Sequence, residues 1–113
     1  MKLEYLTQLF PKLKEWGATG VLIEYEDAFP FEGSLAKLKG TFSYKKEDVQ
    51  KINQLAKAND LTVIPYLSLF DDLDFVLRHA DFKKYREMPK YSEMISPLHE
   101  VNIKNFKGLF EIS

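Results

Sequence analysis

The sequence predicts an α/β fold with parallel strands, on the strength of two apolar patterns and their order along the chain. Apolar residues at three- and four-residue steps alternate with two short runs rich in branched and apolar residues, 21–23 and 61–69. Gly20 opens the first run, and Asn59 lies just before the second. Because the order is helix, strand, helix, strand, helix, we expect parallel strands joined by right-handed crossovers.

The first predicted helix has an apolar face whose members recur at helical spacing: Leu3, Leu6, Phe10, Leu13 and Trp16. Pro11 falls within this stretch, and a proline is tolerated only near the first turn of a helix or at a kink. We therefore expect the regular helix to begin around Thr7. Gly17 and Gly20 are expected to end it.

A buried strand is predicted from Gly20 onward, because a short β-branched run follows this glycine. Alternation gives it two faces, one with Val21, Ile23 and Tyr25 and the other with Leu22, Glu24 and Glu26. The first face suits a cover of helices, whereas the second carries acids toward the carboxyl end of the strand. In a closed parallel barrel the second face would line the interior, and ligands bind at that end.

The segment 28–41 reads as a loop, because Pro30, Gly33 and Gly40 interrupt it. It is long for an α/β connection, which usually takes about 2–6 residues. Long loops of this kind are often functional. Disorder is the alternative, but Phe29 and Phe31 argue against it.

A second helix is predicted at Lys46–Ala58, with Asp48 near its start and Asn59 as its stop. The second strand follows at 61–69, where Pro65 removes a backbone donor and predicts a bulge or partial pairing. A third helix is expected from about Leu73, on a stripe that ends with His79 and Phe82. No clear period follows after residue 88.

Composition narrows the function classes. The chain has 113 residues, enough for one small domain at most, a formal net charge of -1 and no cysteine. These values exclude a disulfide framework and a thiol nucleophile, and they give no sign of nucleic acid as a partner. Residues 1–10 do not form a signal peptide, and no stretch reaches the roughly 20 apolar residues of a membrane span. We therefore predict a soluble, cytoplasmic protein with no cofactor, metal or membrane partner.

Three stretches together resemble the hexosaminidase D group of glycoside hydrolase family 20, which are β-N-acetylhexosaminidases. They are YLTQLFPKLKEWGATGVLIEYEDAFPFEG at 5–33, LTVIPYLSLF at 61–70 and FVLRHADFKKYRE at 75–87, and the block IEYEDAFPFEG is the most specific. The resemblance implies part of a TIM (β/α)8 barrel, with about two parallel strands and three helices. It places this partial barrel at 1–97 and a divergent tail at 98–113. It also implies an N-acetylhexosamine-containing carbohydrate as the partner.

The departures from that group bear on catalysis. The family carries a strand before the first helix, and almost nothing precedes that helix here. A phenylalanine-glycine-histidine turn is expected after the second strand, but Phe70, Asp71 and Asp72 stand at those positions. The family's catalytic aspartate–glutamate pair belongs to a His-x-Gly-x-Asp-Glu motif that nothing in this sequence matches. We therefore assign no catalytic residue and expect the isolated chain to be inactive.

The candidate substrate-binding residues are Tyr25, Glu26, Asp27 and Asp72. The first three lie where a barrel strand ends, and a carboxylate there can hold sugar hydroxyls. The alternatives are purely structural roles: Glu26 pairs with a lysine, Asp27 caps the next turn, and Asp72 caps the third helix. His79 has no metal or triad partner in the sequence pattern and is expected to be packed or on the surface.

Three hypotheses of function remain open from the sequence. The chain is part of a β-N-acetylhexosaminidase, or a non-catalytic carbohydrate-binding or protein-interaction fragment, or a fragment with no function of its own. Two parallel strands with exposed edges also predict self-association through those edges.

Overall fold

The computed structural model describes residues 1–68 and 72–96. Within them the order helix, strand, helix, strand, helix is confirmed: α1 at Leu3–Glu15, β1 at Gly20–Glu24, α2 at Lys46–Ala58, β2 at Thr62–Tyr66 and α3 at Asp74–Leu77. Short 3-10 helices occupy Glu26–Ala28, Gly33–Leu38 and Ala80–Tyr85. None of the helices in this part of the chain is long and apolar enough to cross a bilayer.

The described residues fall into two compact units. The first combines Met1–Pro30 with Gly40–Leu67, and the second combines Phe31–Lys39 with the described residues from Ser68 onward. The first unit holds both strands and the two longer helices. The predicted division at residue 97 stays a prediction, because residues 97–113 lie outside the described part.

The expected late start of α1 is wrong, because the helix begins at Leu3 and carries Pro11 in its interior. Proline there removes the hydrogen bond to the carbonyl four residues earlier. The apolar face outweighs that loss, since Leu6 and Phe10 are buried on it. The helix ends at Glu15, and Gly17 then takes a positive φ of 88°, where a side chain would be strained.

The two strands form a parallel pair in unbroken register, from Gly20 opposite Thr62 to Glu24 opposite Tyr66. The Thr62 N–H donates to the Thr19 carbonyl at 3.0 Å. The backbone N–H and C=O groups of successive strand residues point to alternate edges of the strand. Those of Thr62, Ile64 and Tyr66 therefore point toward β1. Pro65 therefore faces away from β1, where its missing N–H breaks no bond of this ladder.

The register also decides between the two outcomes expected at Pro65. There is no bulge, and β2 is paired on one side only within the described residues. A proline is compatible with this arrangement because it occupies an edge position.

One face of the strand pair packs against the helices. Its core cluster is Leu6, Phe10, Ile52, Ala56 and Leu61. Val21, Ile23 and Tyr25 pack against that cluster, as alternation predicted. On the opposite face Leu22 is 64% exposed, Ile64 50% and Tyr66 44%, so this face is apolar and open among the described residues.

Both ends of α2 agree with the sequence expectation. The Lys45 N–H donates to the Asp48 carboxylate at 2.9 Å, so an acidic side chain satisfies a group at the helix start. At the other end the Asn59 side-chain amide donates to the Leu55 carbonyl at 2.9 Å. The helix stops at the expected residue.

The third helix is shorter than expected. α3 ends at Leu77, His79 is extended with ψ 141°, and the chain resumes as the 3-10 helix Ala80–Tyr85. The Arg86 guanidinium donates to the Leu77 carbonyl through Nε at 3.0 Å and Nη2 at 2.8 Å. That carbonyl would accept from the next turn of a continued helix, so Arg86 takes the place of the missing turn.

The predicted loop at 28–41 is also more ordered than expected, since Gly33–Leu38 forms a 3-10 helix. Leu38 is fully buried in the second unit, as are Leu73, Val76 and Leu77. The Phe31 ring stacks on the Phe75 ring with centroids 6.4 Å apart. Lys37 forms an ion pair with Asp81, and its ammonium lies 5.7 Å from the Phe82 ring centre. Apolar burial within the second unit explains why this segment is ordered.

Candidate functional site

The candidate residues of the first unit lie at the carboxyl end of β1, as the sequence predicts. The strand ends at Glu24, and the chain turns at once into the 3-10 helix Glu26–Ala28. Glu26 has a φ of 47°, in the left-handed region that residues other than glycine rarely adopt. Unusual backbone conformations of this kind occur often at functional sites.

Tyr25 lies on the helix side of the sheet rather than beside the exposed acids. Its ring meets Phe29 edge to face at 5.7 Å and Tyr44 at 6.1 Å, with interplanar angles of 73° and 88°. Burial raises the pKa of the Tyr25 hydroxyl, and the nearby Tyr44 is a second, smaller cause. Its Oη is buried and has no hydrogen-bond partner among the described residues.

Asp27 is held against a glycine from a distant part of the chain. Its backbone carbonyl accepts the Gly40 N–H at 2.7 Å. A Cβ added to Gly40 would lie 2.5 Å from Asp27 Oδ2 and 2.8 Å from its Cγ. The carboxylate therefore occupies the space that any other residue at position 40 would need. The backbone hydrogen bond from Gly40 holds the main chain of Asp27 at this place after β1.

Tyr44 and Gly40 are the residues of this site that sequence reasoning missed. The Tyr44 hydroxyl donates to the Met1 carbonyl, and the Tyr44 N–H donates to the Ala28 carbonyl at 2.8 Å. Burial, with Asp48 as the second cause, raises the pKa of Tyr44. Neither residue belongs to a periodic pattern. The one sequence signal was Gly40 itself, since a glycine in a long segment is compatible with close approach of another part of the chain.

Two clefts flank Tyr25 within the first unit. The larger, which we call the α1–β1 cleft, has a volume of about 480 Å³ and is lined by α1 residues, by every residue from Val21 to Tyr25, and by Tyr44. The second has a volume of about 430 Å³ and lies beside α2 and β2, with Val49, Asn53 and Pro65 in its lining. Both volumes fall in the range of roughly 300–1,000 Å³ of small-molecule sites.

Asp72 belongs to the second unit and is exposed, with a φ of 55°. The interpretation of Asp72 as the cap of α3 is wrong, because Leu73 is the N-cap residue and no side chain caps it. Asp74, the first residue of α3, instead accepts a hydrogen bond from the Ser92 hydroxyl. Asp71 lies outside the described residues.

Metal ligands do not gather in the part of the chain that the structure describes. No group of three or more His, Cys, Asp or Glu side chains is placed to hold an ion there. His79 is partly buried at the start of a 3-10 helix, and its Nε2 has no hydrogen-bond partner among the described residues. The sequence left a packed and a surface position open for His79, and the structure shows it partly buried.

The comparison with known proteins finds two relatives named hexosaminidase D. The chain is 40% identical to human hexosaminidase D over 99 residues, which is 88% of this chain. It is 37% identical to bovine hexosaminidase D over 102 residues, or 90% of this chain. The chain is related to hexosaminidase D. This confirms the resemblance that the block IEYEDAFPFEG suggested.

The relationship to hexosaminidase D covers only part of those proteins. The chain spans 20% of the human relative and 30% of the bovine relative. No protein-family model matches the chain. The activity of the full-length relatives is therefore only proposed for this chain.

Proposed function

We propose that this chain forms one sugar-binding part of a β-N-acetylhexosaminidase-type site, and that alone it does not cleave a glycosidic bond. The observation that carries the proposal is the 37–40% identity to hexosaminidase D over about nine tenths of the chain. In this proposal β1 and β2 are two neighbouring strands of a larger (β/α)8 barrel. The ligand is a terminal N-acetylhexosamine of a glycoconjugate, and the chain works in the cytoplasm.

The sugar is proposed to meet the acidic turn after β1. Glu26 is exposed on the turn, and its carboxylate can accept hydrogen bonds from sugar hydroxyls. Asp27 has its carboxylate beside Gly40, and Tyr25, whose ring lies on the helix side of the sheet, is proposed as an aromatic contact at the margin of the same turn. Asp72, which follows β2, is proposed as a further contact with the ligand. Support for these roles comes from the rule that barrel sites form at the carboxyl ends of the strands.

The chemistry of the related enzymes explains why turnover is not expected. The resemblance implies substrate-assisted cleavage, in which the acetamido oxygen of the sugar attacks the anomeric carbon. An aspartate orients the acetamide, and a glutamic acid protonates the leaving oxygen. A general acid contributes roughly 100- to 10,000-fold to the rate and must lie within hydrogen-bond reach of its target. The sequence contains no match to the motif that supplies this pair.

Two measurements on the purified chain test the proposal. Incubation with nitrophenyl β-N-acetylglucosaminide and β-N-acetylgalactosaminide should release no nitrophenol above the background. Measurable turnover would contradict the absence of a general acid. In the second measurement N-acetylglucosamine is titrated and followed by NMR shifts of the residues around β1.

The matched variants for the titration are Glu26→Gln and Glu47→Gln. Each replaces an exposed carboxylate, but Glu47 lies in the first turn of α2 and not at the end of β1. Binding should weaken about 5- to 20-fold in Glu26→Gln, as expected for losing a charged hydrogen bond. It should be unchanged in Glu47→Gln. Equal affinity of both variants would remove the case for Glu26.

A second candidate function is a protein-interaction fragment without a sugar ligand. The open apolar face formed by Leu22, Ile64 and Tyr66 favours it, since such patches often mark interaction sites. Self-association through strand edges belongs to this candidate and stays a prediction. Sedimentation velocity between about 1 and 100 μM, the range where weak association becomes visible, decides whether the chain is a monomer.

A further inference from the structure

We propose that Tyr44 is a positioning residue for the acidic turn after β1, and that it directs the Glu26 carboxylate by holding Glu26 at a positive φ. This role deepens the proposed function and rests on it, since a sugar is the ligand that the carboxylate would meet. The conformation of Glu26 is a property of the folded chain alone and is measurable without a sugar.

Glu26 has a backbone conformation that its own side chain disfavours. Its φ is 47°, and in this left-handed region the Cβ of a residue lies too close to the following carbonyl oxygen. Such conformations persist only where the surrounding structure determines them. The contacts made by the neighbours of Glu26 therefore decide whether the turn keeps this shape.

Tyr44 contacts the chain on both sides of Glu26. Before Glu26, the Tyr44 ring meets the Tyr25 ring edge to face, with centroids 6.1 Å apart. After Glu26, the Tyr44 N–H donates to the Ala28 carbonyl at 2.8 Å. Because both contacts belong to one residue, the peptide groups that flank Glu26 cannot turn independently of each other.

A second hydrogen bond holds the same turn. The chain leaves the first unit after Pro30 and returns to it at Gly40. The Gly40 N–H donates to the Asp27 carbonyl at 2.7 Å, and the Ser43 N–H donates to the Gly40 carbonyl at 3.3 Å. The returning segment is therefore attached to the acidic turn at Gly40 and again at Tyr44.

Tyr44 is itself anchored to a core helix. It directly precedes Lys45, the N-cap residue of α2, whose N–H donates to the Asp48 carboxylate at 2.9 Å. α2 contributes Ile52 to the core cluster of the first unit. The position of α2 is therefore transmitted through Tyr44 to the turn that carries Glu26.

The ring of Tyr44, and not its hydroxyl, is the part of the side chain that contacts the turn. The hydroxyl donates to the Met1 carbonyl, which lies outside the turn, whereas the ring meets Tyr25 directly. Phenylalanine at position 44 would keep the ring and lose only the hydroxyl. Leucine would keep an apolar side chain and lose the aromatic edge.

Tyr44→Leu and Tyr44→Phe are therefore the matched variants. The first readout is the intraresidue NOE between the N–H and Hα protons of Glu26, which is strong at positive φ because the two protons are then close. It should be strong in the wild type and in Tyr44→Phe, and weaker in Tyr44→Leu. Equal signals in all three proteins, or equal loss in both variants, would overturn the positioning role of the ring.

The second readout is the affinity for N-acetylglucosamine, titrated against the same proteins. It should weaken about 3- to 10-fold in Tyr44→Leu, the loss that corresponds to one aromatic pair, and stay unchanged in Tyr44→Phe. The control is Leu13→Ala, which truncates a partly buried side chain beside the start of β1. It should lower stability without changing either readout, and an equal loss of affinity in it would reduce Tyr44 to a structural residue.

The two readouts separate this role from the proposed function. If the wild type binds no sugar while the Glu26 signal depends on Tyr44, the proposed function is wrong and the conformational role is supported. If Tyr44→Leu does not fold, hydrogen exchange in the wild type decides. The Gly40 and Tyr44 amide protons should exchange more slowly than that of Phe42, which is 94% exposed and has no N–H partner among the described residues. Equal exchange at all three positions would overturn the proposal.

Discussion

Replacing Gly40 by alanine tests whether the Asp27 carboxylate lies where the structure places it. The new Cβ would meet Oδ2 at 2.5 Å and Cγ at 2.8 Å, both closer than real Cβ contacts, and the Asp27 Cβ at 3.4 Å. Overpacking of this kind destabilises proteins by about 1–3 kcal/mol. Because the carboxylate can rotate partly away, we expect the lower half of that range, about 1–2 kcal/mol.

The double variant with Asp27→Ala separates this clash from every other effect. Without Oδ2 and Cγ, the nearest remaining atom of residue 27 would be Cβ at 3.4 Å, an ordinary contact. In that background Gly40→Ala should be neutral or stabilising by about 0.4–1 kcal/mol, because alanine restricts the unfolded chain. The coupling free energy between the two substitutions should therefore be about 1–3 kcal/mol.

The assay is urea unfolding of the four proteins of this cycle, followed by far-UV circular dichroism at pH 7. Gly20→Ala is the control, because its Cβ would meet the Thr62 backbone carbonyl at 2.9 Å and no atom of Asp27. Its coupling with Asp27→Ala should be close to zero. If Gly40→Ala has the same effect with and without Asp27, the carboxylate does not occupy this space and the geometry of the turn is refuted.

Two further predictions concern one residue in each unit. Tyr25→Phe should leave the free energy of unfolding at pH 7 unchanged or raise it, since the removed Oη has no described partner. The pKa of Tyr25 is raised above 10.0 in the folded chain. The neutral hydroxyl therefore makes its full contribution to the free energy of unfolding below pH 10.0, and this contribution is lost as the pH rises through the raised pKa. Urea unfolding between pH 7 and 11 should show a smaller alkaline loss for Tyr25→Phe, and an equal loss would contradict the buried hydroxyl. Arg86→Lys should lower the free energy of unfolding by about 1–2 kcal/mol, because lysine cannot reproduce the forked donors to Leu77 and the bond to Pro89 at 2.9 Å. The control Arg78→Lys keeps the positive charge of an exposed side chain and should change the free energy of unfolding little in thermal melts.

The fold was largely predictable because the periodic patterns are local properties of the chain. The alternation of Val21, Ile23 and Tyr25 with exposed neighbours predicted which face of β1 would be covered, and the structure agrees. α2 was predicted with both ends because an acidic first turn and a terminal asparagine are local signals. The barrel itself stays a prediction, since two strands are described.

The wrong expectations share a cause, which is a tertiary contact that competes with a local preference. Pro11 argued for a late start of α1, but burial of Leu6 and Phe10 outweighs one missing hydrogen bond. The third helix was predicted to pass through His79, yet the Arg86 side chain takes the carbonyl that would have continued it. Neither contact is visible from residue spacing.

The candidate site was predictable in position but not in its surroundings. The acids after β1 lie at the strand end as expected, because strand and turn are close in sequence. Tyr44 and Gly40 reach the same place from 13 or more residues away, through contacts with Tyr25 and Asp27. Only a folded chain reveals such partners.

The outward position of Pro65 depends on the register of β2, and a short connection to α2 precedes that strand. Deleting one residue between Ala58 and Thr62 would slide β2 by one place, turning the proline nitrogen inward and exchanging its buried and exposed side chains. A change in the length of this turn that shifts the register of β2 therefore keeps the two faces in place only if it shifts the strand by an even number of residues. The same reasoning gives a protein engineer a rule: an insertion between α2 and β2 must not shift the register of β2 by one residue.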